Sequence, residues 1–464
     1  MKYIKFIGRD KELDLISNLK NSFFLVVRGR RRIGKTMLLR KALKDGIYIF
    51  IWPDKSIEWI SQEISKEYNI PEFKNFKDIL IYLIEKNKTI IIDEFQNFQN
   101  IDKSIYGEIQ KIIDDCKSSQ KDFKIAVAGS SYSLMNKVFN NVASPLYGRK
   151  TQEIELSHLS IESLTKEIGF SFEDSIKLWS VFEGVPYYYE LIDNKISAEE
   201  NIKNLLLNRD SQLKDEGKAI LSIEFGKDSK TYNTILSAIS EGKTKLNEIS
   251  SLFSDKKNEV IKYLEILRKD FNLVRKITPI TEDPRKSREG KYEIIDNFLS
   301  FWFYFIDKLR NYIEQERFSE VEKNFEDNFN AFIGKKFEKF IINLIKEKKV
   351  LSDFDFLKIG RQWGKIPNAD KDKSQYEIDL VALNSEKKEI LFGECKWQDK
   401  VDAGEIAKEL AEKAKYVEWP NKDEKEKRKE YFAVFAKTFS KKITEFEGKK
   451  IYCFDLKDIE KILR

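Results

Sequence analysis

The chain has 464 residues, of which 41% are hydrophobic and 35% are charged, and its formal net charge is +6. This composition excludes a disordered or fibrous chain and predicts a water-soluble globular protein of about three domains. The charge comes from 84 basic and 78 acidic residues, a mixture of signs that does not by itself indicate nucleic-acid binding. Three isolated cysteines and one histidine, His158, disfavour a zinc site or a histidine-based catalytic pair. No signal-like apolar segment begins the chain, so we expect a cytoplasmic protein without a membrane partner.

The first chemical motif follows an apolar run at 23–27, which predicts a buried strand. A strand, the pattern Gly-x-x-x-x-Gly-Lys-Thr and a helix are the context of a phosphate-binding P-loop. Gly29 and Gly34 allow the loop to turn its N–H groups toward phosphate. Lys35 would reach the outer phosphates, and the Thr36 hydroxyl would hold Mg²⁺. A chance Gly-Lys-Thr turn is the alternative, and the correct flanks disfavour it.

Two further strands are predicted to end at polar residues. A β-branched run ends at Asp93 and Glu94, and such a run is typical of a parallel strand buried on both faces. Asp93 would hold Mg²⁺ and Glu94 would polarise the attacking water. A third strand, 124–129, is followed by Ser130 and Ser131. A serine here would sense the γ-phosphate from between the two signatures, or would only cap the next helix.

Arg149 lies on a loop beyond the third predicted strand. One interpretation makes it an arginine finger that acts on a neighbouring subunit of a homo-oligomer, and the other makes it an ordinary surface arginine. The segment before the first helix has a bulky pair, Phe6 and Ile7, followed by glycine and Arg9.

These motifs resemble those of archaeal-type P-loop ATPases of the AAA+ and STAND assemblage. The segments that carry the resemblance are 6–12, 29–36, 90–94, 144–149 and 184–188, within about the first half of the chain. The resemblance implies ATP and Mg²⁺ as cofactors, with Phe6 and Ile7 walling the adenine and Arg9 anchoring this N-terminal box. It also implies a helical lid after the sheet. An ordinary helix entry is the alternative for the box.

The middle of the chain predicts a winged helix-turn-helix. Helical periodicity at 232–239 and 260–267 is followed by strands at 273–280 and 292–295. The predicted recognition helix, 255–270, has five basic and four acidic residues, and the wing, 275–291, has six basic and three acidic residues. Because phosphate contacts supply most non-specific affinity, this modest charge leaves DNA contact and simple packing both open. The aromatic run 298–306 predicts a buried helix.

The C-terminal part predicts a helix from residue 330 and then strands and a further helix. Asp379 lies on one strand, and Glu394 and Lys396 share a face of the next strand. This constellation resembles that of PD-(D/E)XK nucleases, although Ile378 stands where the motif has proline. The resemblance implies that Asp379 and Glu394 bind Mg²⁺, with Mn²⁺ possible, and that Lys396 stabilises the transition state. Glu338 would be an extra metal ligand or a solvated helix residue.

The predicted fold is a multidomain α/β chain: a P-loop NTPase with parallel sheet and helical lid, a winged helix-turn-helix, and a restriction-endonuclease-like α/β domain. The predicted domains are 1–158 (ATPase core), 159–226 (lid), 227–297 (winged helix), 298–329 (helical linker) and 330–464 (nuclease-like domain). We expect an ATP-hydrolysing protein coupled to a Mg²⁺-dependent nuclease-like domain that acts on nucleic acid, with DNA favoured. The alternatives are a STAND-type ATP-dependent switch and a DNA-binding ATPase whose nuclease fold is not catalytic. The role of the three arginines at 30–32 stays open.

Overall fold

An all-parallel sheet forms the N-terminal part of the protein. The structure, a computed structural model, describes residues 6–225, 229–253, 259–367, 375–420 and 428–464. The strands of this sheet are β1 (Phe23–Arg28), β2 (Ile47–Phe50), β3 (Thr89–Asp93), β4 (Lys124–Gly129) and β5 (Gln152–Glu155). They lie in the order β2-β3-β4-β1-β5, and each neighbouring pair is parallel. As predicted, β4 lies between the strand that leads into the P-loop and the strand that ends at Asp93.

Helices cover both faces of this sheet. They are α1 (Asp10–Ser17), α2 (Lys35–Ala42), α3 (Ile57–Glu67), α4 (Phe76–Glu85), α5 (Phe98–Ile101), α6 (Ser104–Ser118) and α7 (Tyr132–Phe139). Successive strand residues point to opposite faces, so Ile91 packs on the side of α2 while Ile90 and Ile92 pack on the side of α4 and α6. Burial on both faces explains why these strands appear in the sequence as continuous apolar runs.

A bundle of short helices follows the sheet. Its members are α8 (Ile161–Ile168), α9 (Phe172–Phe182), α10 (Pro186–Glu190), α11 (Ala198–Ile202) and α12 (Glu216–Glu224). Pro186 lies in the first turn of α10, where the missing N–H costs no intrahelical hydrogen bond. Tyr188 is fully buried and stacks on Phe298, with the ring centroids 4.8 Å apart. The aromatic residues of α10 therefore include core residues, as the sequence indicated.

Three helices and a β-hairpin come next, in the predicted order. They are α13 (Ser229–Ser240), α14 (Leu246–Ser250), α15 (Val260–Lys269), β6 (Val274–Ile277) and β7 (Lys291–Ile294). Residues 255–258, the first part of the predicted recognition helix, lie outside the described residues. The aromatic run forms α16 (Asn297–Phe301) and a π-helical segment (Trp302–Asp307), before α17 (Arg310–Glu314). Most of its side chains are buried, as predicted.

One long helix, α18 (Phe318–Lys346), leads into the C-terminal part. The predicted helix start at residue 330 is wrong, and the proposed boundary between 329 and 330 lies inside α18. Phe325, Phe329 and Phe332 are buried at i, i+4 and i+7 and continue the helical pattern across that boundary. No proline interrupts 318–346, so nothing in the local sequence ends the helix there. Among the described residues, no helix combines the length and the apolarity needed to cross a membrane.

A mixed sheet forms the C-terminal part. Its chain order is β8 (Lys358–Lys365), β9 (Gln375–Asn384), β10 (Glu389–Lys396), β11 (Val401–Asp402), α19 (Ala403–Ala414), β12 (Lys429–Ala436), β13 (Phe439–Lys441), β14 (Glu445–Phe446), β15 (Lys449–Asp455) and α20 (Leu456–Leu463). Six strands lie in the order β14-β15-β12-β10-β9-β8, and β11 pairs with β13. β9 and β10 pair as the predicted antiparallel hairpin. α18 packs on one face of the sheet and α19 packs on the other.

Candidate functional site

The P-loop connects β1 to α2. Gly34 has φ +96°, a left-handed conformation that favours glycine, directly before the first turn of α2. A Cβ at Gly29 would lie 2.7 Å from a backbone carbonyl oxygen of the segment after β5, so a side chain does not fit there. Lys35 is buried, and its Nζ donates hydrogen bonds to the carbonyl oxygens of Gly29 and Arg30 at 2.9 and 3.0 Å. Burial lowers the pKa of Lys35, and two nearby carboxylates oppose that shift.

Thr36 and Asp93 meet at the carboxyl end of β3. The Thr36 hydroxyl donates to Asp93 Oδ2 at 2.5 Å, and the Tyr48 hydroxyl donates to the same oxygen at 2.9 Å. Carboxylate oxygens are the protein ligands that Mg²⁺ prefers, and in P-loops a Ser or Thr hydroxyl joins them, so this pair fits the Mg²⁺ of a bound nucleotide. Tyr48 was not predicted. Only the pairing of β2 with β3 brings it to the site.

Glu94 follows Asp93 in a left-handed conformation, with φ +52°. Its Oε2 accepts a 2.6 Å hydrogen bond from Ser130 and a second one from the Gln96 amide. These two bonds hold the carboxylate at the end of the sheet, where the predicted role requires it. The neighbouring Ser131 caps α7 through its side-chain oxygen, so the capping alternative applies to Ser131. Direct γ-phosphate sensing by Ser130 stays a prediction.

The N-terminal box packs beside the P-loop. Arg9 is buried, and its Nη2 donates to the carbonyl oxygens of Ser157 at 2.8 Å and Ile33 at 3.2 Å. Arg9 therefore ties the box to both the P-loop and the entry to the helical bundle. Phe6 lies against α2, with a lysine Nζ 4.4 Å from its ring centroid, and Ile7 is partly buried next to it. Adenine contact by Phe6 and Ile7 stays a prediction.

A second polar site lies where β9 and β10 pair. Lys396 Nζ donates to Glu394 Oε1 at 2.9 Å, so the two residues share one face of β10 as predicted. The backbone N–H of Cys395 donates to Asp379 Oδ2 at 2.9 Å. A bulge places two residues of β9, the first of them Asp379, opposite the single residue Arg361 of β8. Bulges re-aim side chains in this way beside functional sites.

Glu338 projects from α18 toward this site. Arg361 Nη2 donates to its Oε2 at 2.6 Å, so Glu338 is not the solvated helix residue of the alternative interpretation. Burial raises the pKa of Glu338 to about 8, with Asp379 adding to the shift and Arg361 opposing it. Burial and the Glu394 carboxylate raise the pKa of Asp379 to about 6. Carboxyl groups that disfavour one another's ionisation fit a divalent cation, whose charge stabilises the ionised forms.

Lys413 is a member of this site that the sequence did not reveal. It lies on α19, and its Nζ contacts Glu394 Oε1 at 3.1 Å and Oε2 at 3.3 Å. Glu394 is only 5% exposed, and two lysines pair with it: Lys396 from its own strand and Lys413 from the covering helix. No local pattern marks Lys413, because its position depends on how α19 packs over β10.

Two family models match separate parts of the chain, and each part contains one of the two sites described above. Residues 21–165 match a family described as an AAA domain. Residues 302–409 match a family described as archaea bacterial proteins of unknown function. The first range contains the P-loop, Asp93, Glu94 and Ser130, and the second contains Glu338, Asp379, Glu394 and Lys396. The N-terminal part is therefore a P-loop ATPase domain of the AAA type.

One curated relative matches almost the whole chain. The uncharacterized protein MJECL04 of Methanocaldococcus jannaschii is 32% identical over 98% of this chain and 99% of its own length. The chain belongs to the family of this archaeal protein. Among solved structures, the Walker-type ATPase PABY2304 of Pyrococcus abyssi is 19% identical, with a TM-score of 0.47 over 64% of this chain and 95% of that chain. Cdc6p of Pyrobaculum aerophilum is 14% identical, with a TM-score of 0.32 over 68% and 97%.

Arg149 pairs with a carboxylate of its own chain. Its Nε and Nη2 donate to the two carboxylate oxygens of Asp114 on α6, at 2.9 and 3.1 Å. The arginine is 30% exposed in this bidentate pair. To act as a finger it would have to exchange Asp114 for a phosphate of a neighbouring subunit. The finger and the homo-oligomer both stay predictions.

Two of the three P-loop arginines contact the helical bundle. Arg30 forms an ion pair with Asp296 and donates to the Tyr188 hydroxyl at 2.9 Å. Arg32 forms an ion pair with Glu216 at 2.9 Å, and its guanidinium lies 4.1 Å from the ring centroid of Tyr187. These contacts answer the question that the sequence left open. The basic residues fasten the P-loop to α10, α12 and the start of α16.

The predicted wing packs on the edge strand of the C-terminal sheet. Ile280 N donates to the Arg361 carbonyl at 3.0 Å, and Trp363 Nε1 donates to the Glu289 carbonyl at 3.1 Å. Lys291 adds an ion pair of 3.0 Å with Glu377 of β9. The packing alternative therefore describes this segment in the structure. It also protects the exposed edge of β8 from pairing with another chain.

Proposed function

We propose that this protein is an ATP-controlled nuclease in which the ATPase domain is coupled to a Mg²⁺-dependent C-terminal domain that cleaves nucleic acid, with DNA as the favoured substrate. The observation that carries the proposal is the meeting of Asp379, Glu394 and Lys396 on paired strands. The mixed sheet between α18 and α19 supports a restriction-endonuclease-like fold. The three helices α13 to α15 with the β6–β7 hairpin support a winged-helix unit between the two domains.

The chemistry proposed for this site is hydrolysis of a phosphodiester. Water adds to phosphorus, the bond from phosphorus to the leaving sugar oxygen breaks, and that oxygen takes up a proton. Asp379 and Glu394 would hold Mg²⁺ or Mn²⁺, which when bound polarises the phosphate and activates water. The Lys396 ammonium would donate to the phosphate oxygen on which negative charge increases. Glu338 would complete the ligand set.

A chain of buried polar contacts supports the coupling. It begins in the P-loop with the Arg30–Asp296 ion pair. Asp296 also caps α16, accepting a 2.8 Å hydrogen bond from the backbone N–H of Leu299. The next residue, Asn297, donates its backbone N–H to Glu183 Oε2 at 3.0 Å. Through these contacts a change at the P-loop would reach the junction of α9 and α16.

Lys339 extends this network to α18. Its Nζ donates to Glu183 Oε1 at 2.6 Å and to Asn297 Oδ1 at 2.9 Å. Burial alone would raise the pKa of Glu183, but Lys339 and His158 bring it below its ordinary value. His158, Glu183 and Asp296 have ligand atoms within 4.8 Å of one another, yet Lys339 and Arg30 already pair with both carboxylates. Lys339 and Glu338 lie on the same helix, α18, so the network reaches the helix that carries one carboxylate of the proposed nuclease site.

The variant Asp296→Asn tests this coupling. The asparagine oxygen can still cap α16, but the charge that holds Arg30 is lost. We expect ATP hydrolysis to persist while the effect of ATP on cleavage falls by about 5–150-fold, the usual range of coupling between sites. The measurement is the cleavage rate with and without ATP. Glu326→Gln, which breaks the exposed Lys203–Glu326 pair between α18 and the helical bundle, is the matched control. Cleavage that responds to ATP equally in both variants contradicts the coupling.

The proposed activity itself is tested by a cleavage panel. DNA and RNA of varied structure are incubated with Mg²⁺ or Mn²⁺, with and without ATP, using the native chain and Lys35→Ala. We expect metal-dependent cleavage that changes with ATP in the native chain and not in Lys35→Ala. Identical cleavage by the native chain with ATP, by the native chain without ATP and by Lys35→Ala would exclude ATP control. If every DNA and RNA substrate stays uncleaved throughout the panel, the proposed nuclease activity is excluded.

A switch without cleavage is the second candidate function. The observation that favours it is that ion pairs already occupy carboxylates in and beside the C-terminal site. Glu394 contacts two lysines, and the hairpin residue Lys291 contacts Glu377. Such a protein would turn over ATP slowly and bind a partner or DNA. Strong cleavage that is lost in Glu394→Ala and Lys396→Ala refutes it.

Arg149 gives a prediction about assembly. If it acts on the nucleotide of a neighbouring subunit, the isolated chain lacks a group worth about 10³–10⁵ in rate. We then expect ATP turnover per chain to rise with protein concentration and to lose that rise in Arg149→Ala. Turnover per chain that is independent of concentration contradicts the role in trans.

A further inference from the structure

A cavity of about 500 Å³ lies beside the proposed nuclease carboxylates. We call it the hairpin chamber, because the β6–β7 hairpin, α18 and the β8–β9 pair enclose it. Its lining includes Asp379 of β9 and three residues of α18, namely Glu338, Lys335 and Lys336. The chamber therefore joins the candidate metal ligands to a basic surface.

The charges around the chamber are unevenly paired. Six cationic residues line it, and four of them have carboxylate partners: Arg275 with Glu293, Lys291 with Glu377, Lys339 with Glu183, and Arg361 with Glu293 and Glu338. Within the described part of the chain, Lys335 and Lys336 form no ion pair. Lys335 is exposed, whereas Lys336 is half-buried, with its Nζ 5.1 Å from the ring centroid of Phe332. Burial lowers the pKa of Lys336 to about 7, and Lys339 adds to that shift. Glu183 and Glu293 oppose the shift without forming an ion pair with Lys336, so a bound phosphate would be its direct counter-charge.

We propose that the hairpin chamber binds one nucleotide of a single-stranded nucleic acid, with Lys336 on the phosphate next to the one at Asp379 and Glu338. This inference rests on the proposed nuclease function and names the substrate form that its site would accept. A lysine ammonium is a strong partner for phosphate, and a half-buried one is less screened by water than an exposed one. Without a divalent cation the ionised Asp379 repels a phosphate, so Lys336 is the group at which a strand can be held.

The size and closure of the chamber indicate a single strand. About 500 Å³ lies in the range of small-molecule sites. Lys291 crosses from β7 to Glu377 of β9 at 3.0 Å, and its Nζ lies 4.4 Å from the ring centroid of Trp363 on β8. These contacts join the hairpin to the sheet beside Asp379. A chamber of small-molecule size that is closed on this side by the hairpin has room for one nucleotide and not for an uninterrupted duplex, in which each base is held in a pair.

The test measures binding of the full chain to a fluorescent 15-nucleotide oligodeoxythymidine in EDTA, where cleavage cannot occur. Lys336→Met is compared with Lys323→Met, an exposed lysine of the same helix outside the chamber. We expect Lys336→Met to weaken binding about 10-fold and to lower the slope of log affinity against log salt by about 0.7, the value for one phosphate on a single strand. Lys323→Met changes neither quantity, and Lys336→Arg keeps both near their native values. A duplex of equal length binds more weakly than the single strand.

Equal binding by Lys336→Met and the native chain overturns the inference, as does equal binding of duplex and single strand. Displacement of the oligonucleotide by thymidine monophosphate at similar concentration also overturns it, because the chamber would then be a site for free nucleotides. Failure of the nuclease proposal looks different. In that case no metal or nucleotide condition yields cleavage, while binding in EDTA still depends on Lys336.

Discussion

Replacement of Glu94 by glutamine is expected to lower ATP hydrolysis by about 10²–10⁴-fold, the usual contribution of a positioned general base. The amide keeps the size of the side chain, and its oxygen can still accept the hydrogen bond from Ser130. It cannot take a proton from water at neutral pH. ATP binding should persist, because the P-loop and Lys35 are unchanged. The measurements are steady-state phosphate release and the affinity for a fluorescent ATP analogue.

The matched control for this experiment is Glu63→Gln, an exposed glutamate of α3 outside the nucleotide site. It should hydrolyse ATP at the native rate. Ser130→Ala should give an intermediate loss, because it removes one of the two bonds that hold the Glu94 carboxylate. Hydrolysis by Glu94→Gln at the native rate would show that another group activates water and that Glu94 has only a structural role.

Replacement of Lys396 by methionine is expected to reduce nucleic-acid cleavage by about 10²–10³-fold, as for the loss of one preorganised donor to a developing negative charge. The methionine keeps most of the length of the side chain, so the packing of β10 should survive. Lys413→Met should cost less, because Lys413 comes from the covering helix α19 and is expected to act only by positioning Glu394. The measurement is the single-turnover rate on the best substrate found in the cleavage panel.

Binding of Mn²⁺, followed by calorimetry, separates a loss of catalysis from a loss of the metal site in these variants. Either substitution frees Glu394 from one ammonium and should leave metal affinity unchanged or higher. Lys408→Met on the exposed face of α19 is the control and should change neither cleavage nor metal binding. A Lys396→Met variant that cleaves at the native rate contradicts the assignment. If Lys413→Met alone lost cleavage, the catalytic ammonium would come from α19.

Motifs defined by local chemistry could be predicted from the sequence because chain neighbours determine them. The strand, glycine loop and helix around Lys35 lie within one short segment, and the alternation that pairs Glu394 with Lys396 spans three residues. The start of α18 was missed because helix length here follows from tertiary packing. Phe325 and Phe329 stack with ring centroids 4.3 Å apart, and such burial extends a helix whose local sequence has no clear start signal.

Contacts between distant segments could not be predicted in the same way. Tyr48 reaches Asp93 only because β2 pairs beside β3, and Lys413 reaches Glu394 only because α19 covers β10. Arg30 looked like part of a phosphate loop, yet it pairs with Asp296, 266 positions along the chain from it. The local patterns of a single sequence carry no signal for pairs of residues so far apart in the chain.

The sequence by itself determined that this protein has a P-loop with its two acidic partners, and that a second group of carboxylates and a lysine follows far along the chain. Periodicity and motif spacing are local properties, so they survive without coordinates. Only the tertiary structure decided that two of the P-loop arginines form ion pairs with distant carboxylates, and that the segment predicted as a wing packs on an edge strand. It also decided that Lys339 contacts Glu183 and Asn297. Those outcomes depend on which charges are buried together, and burial is a property of the folded chain.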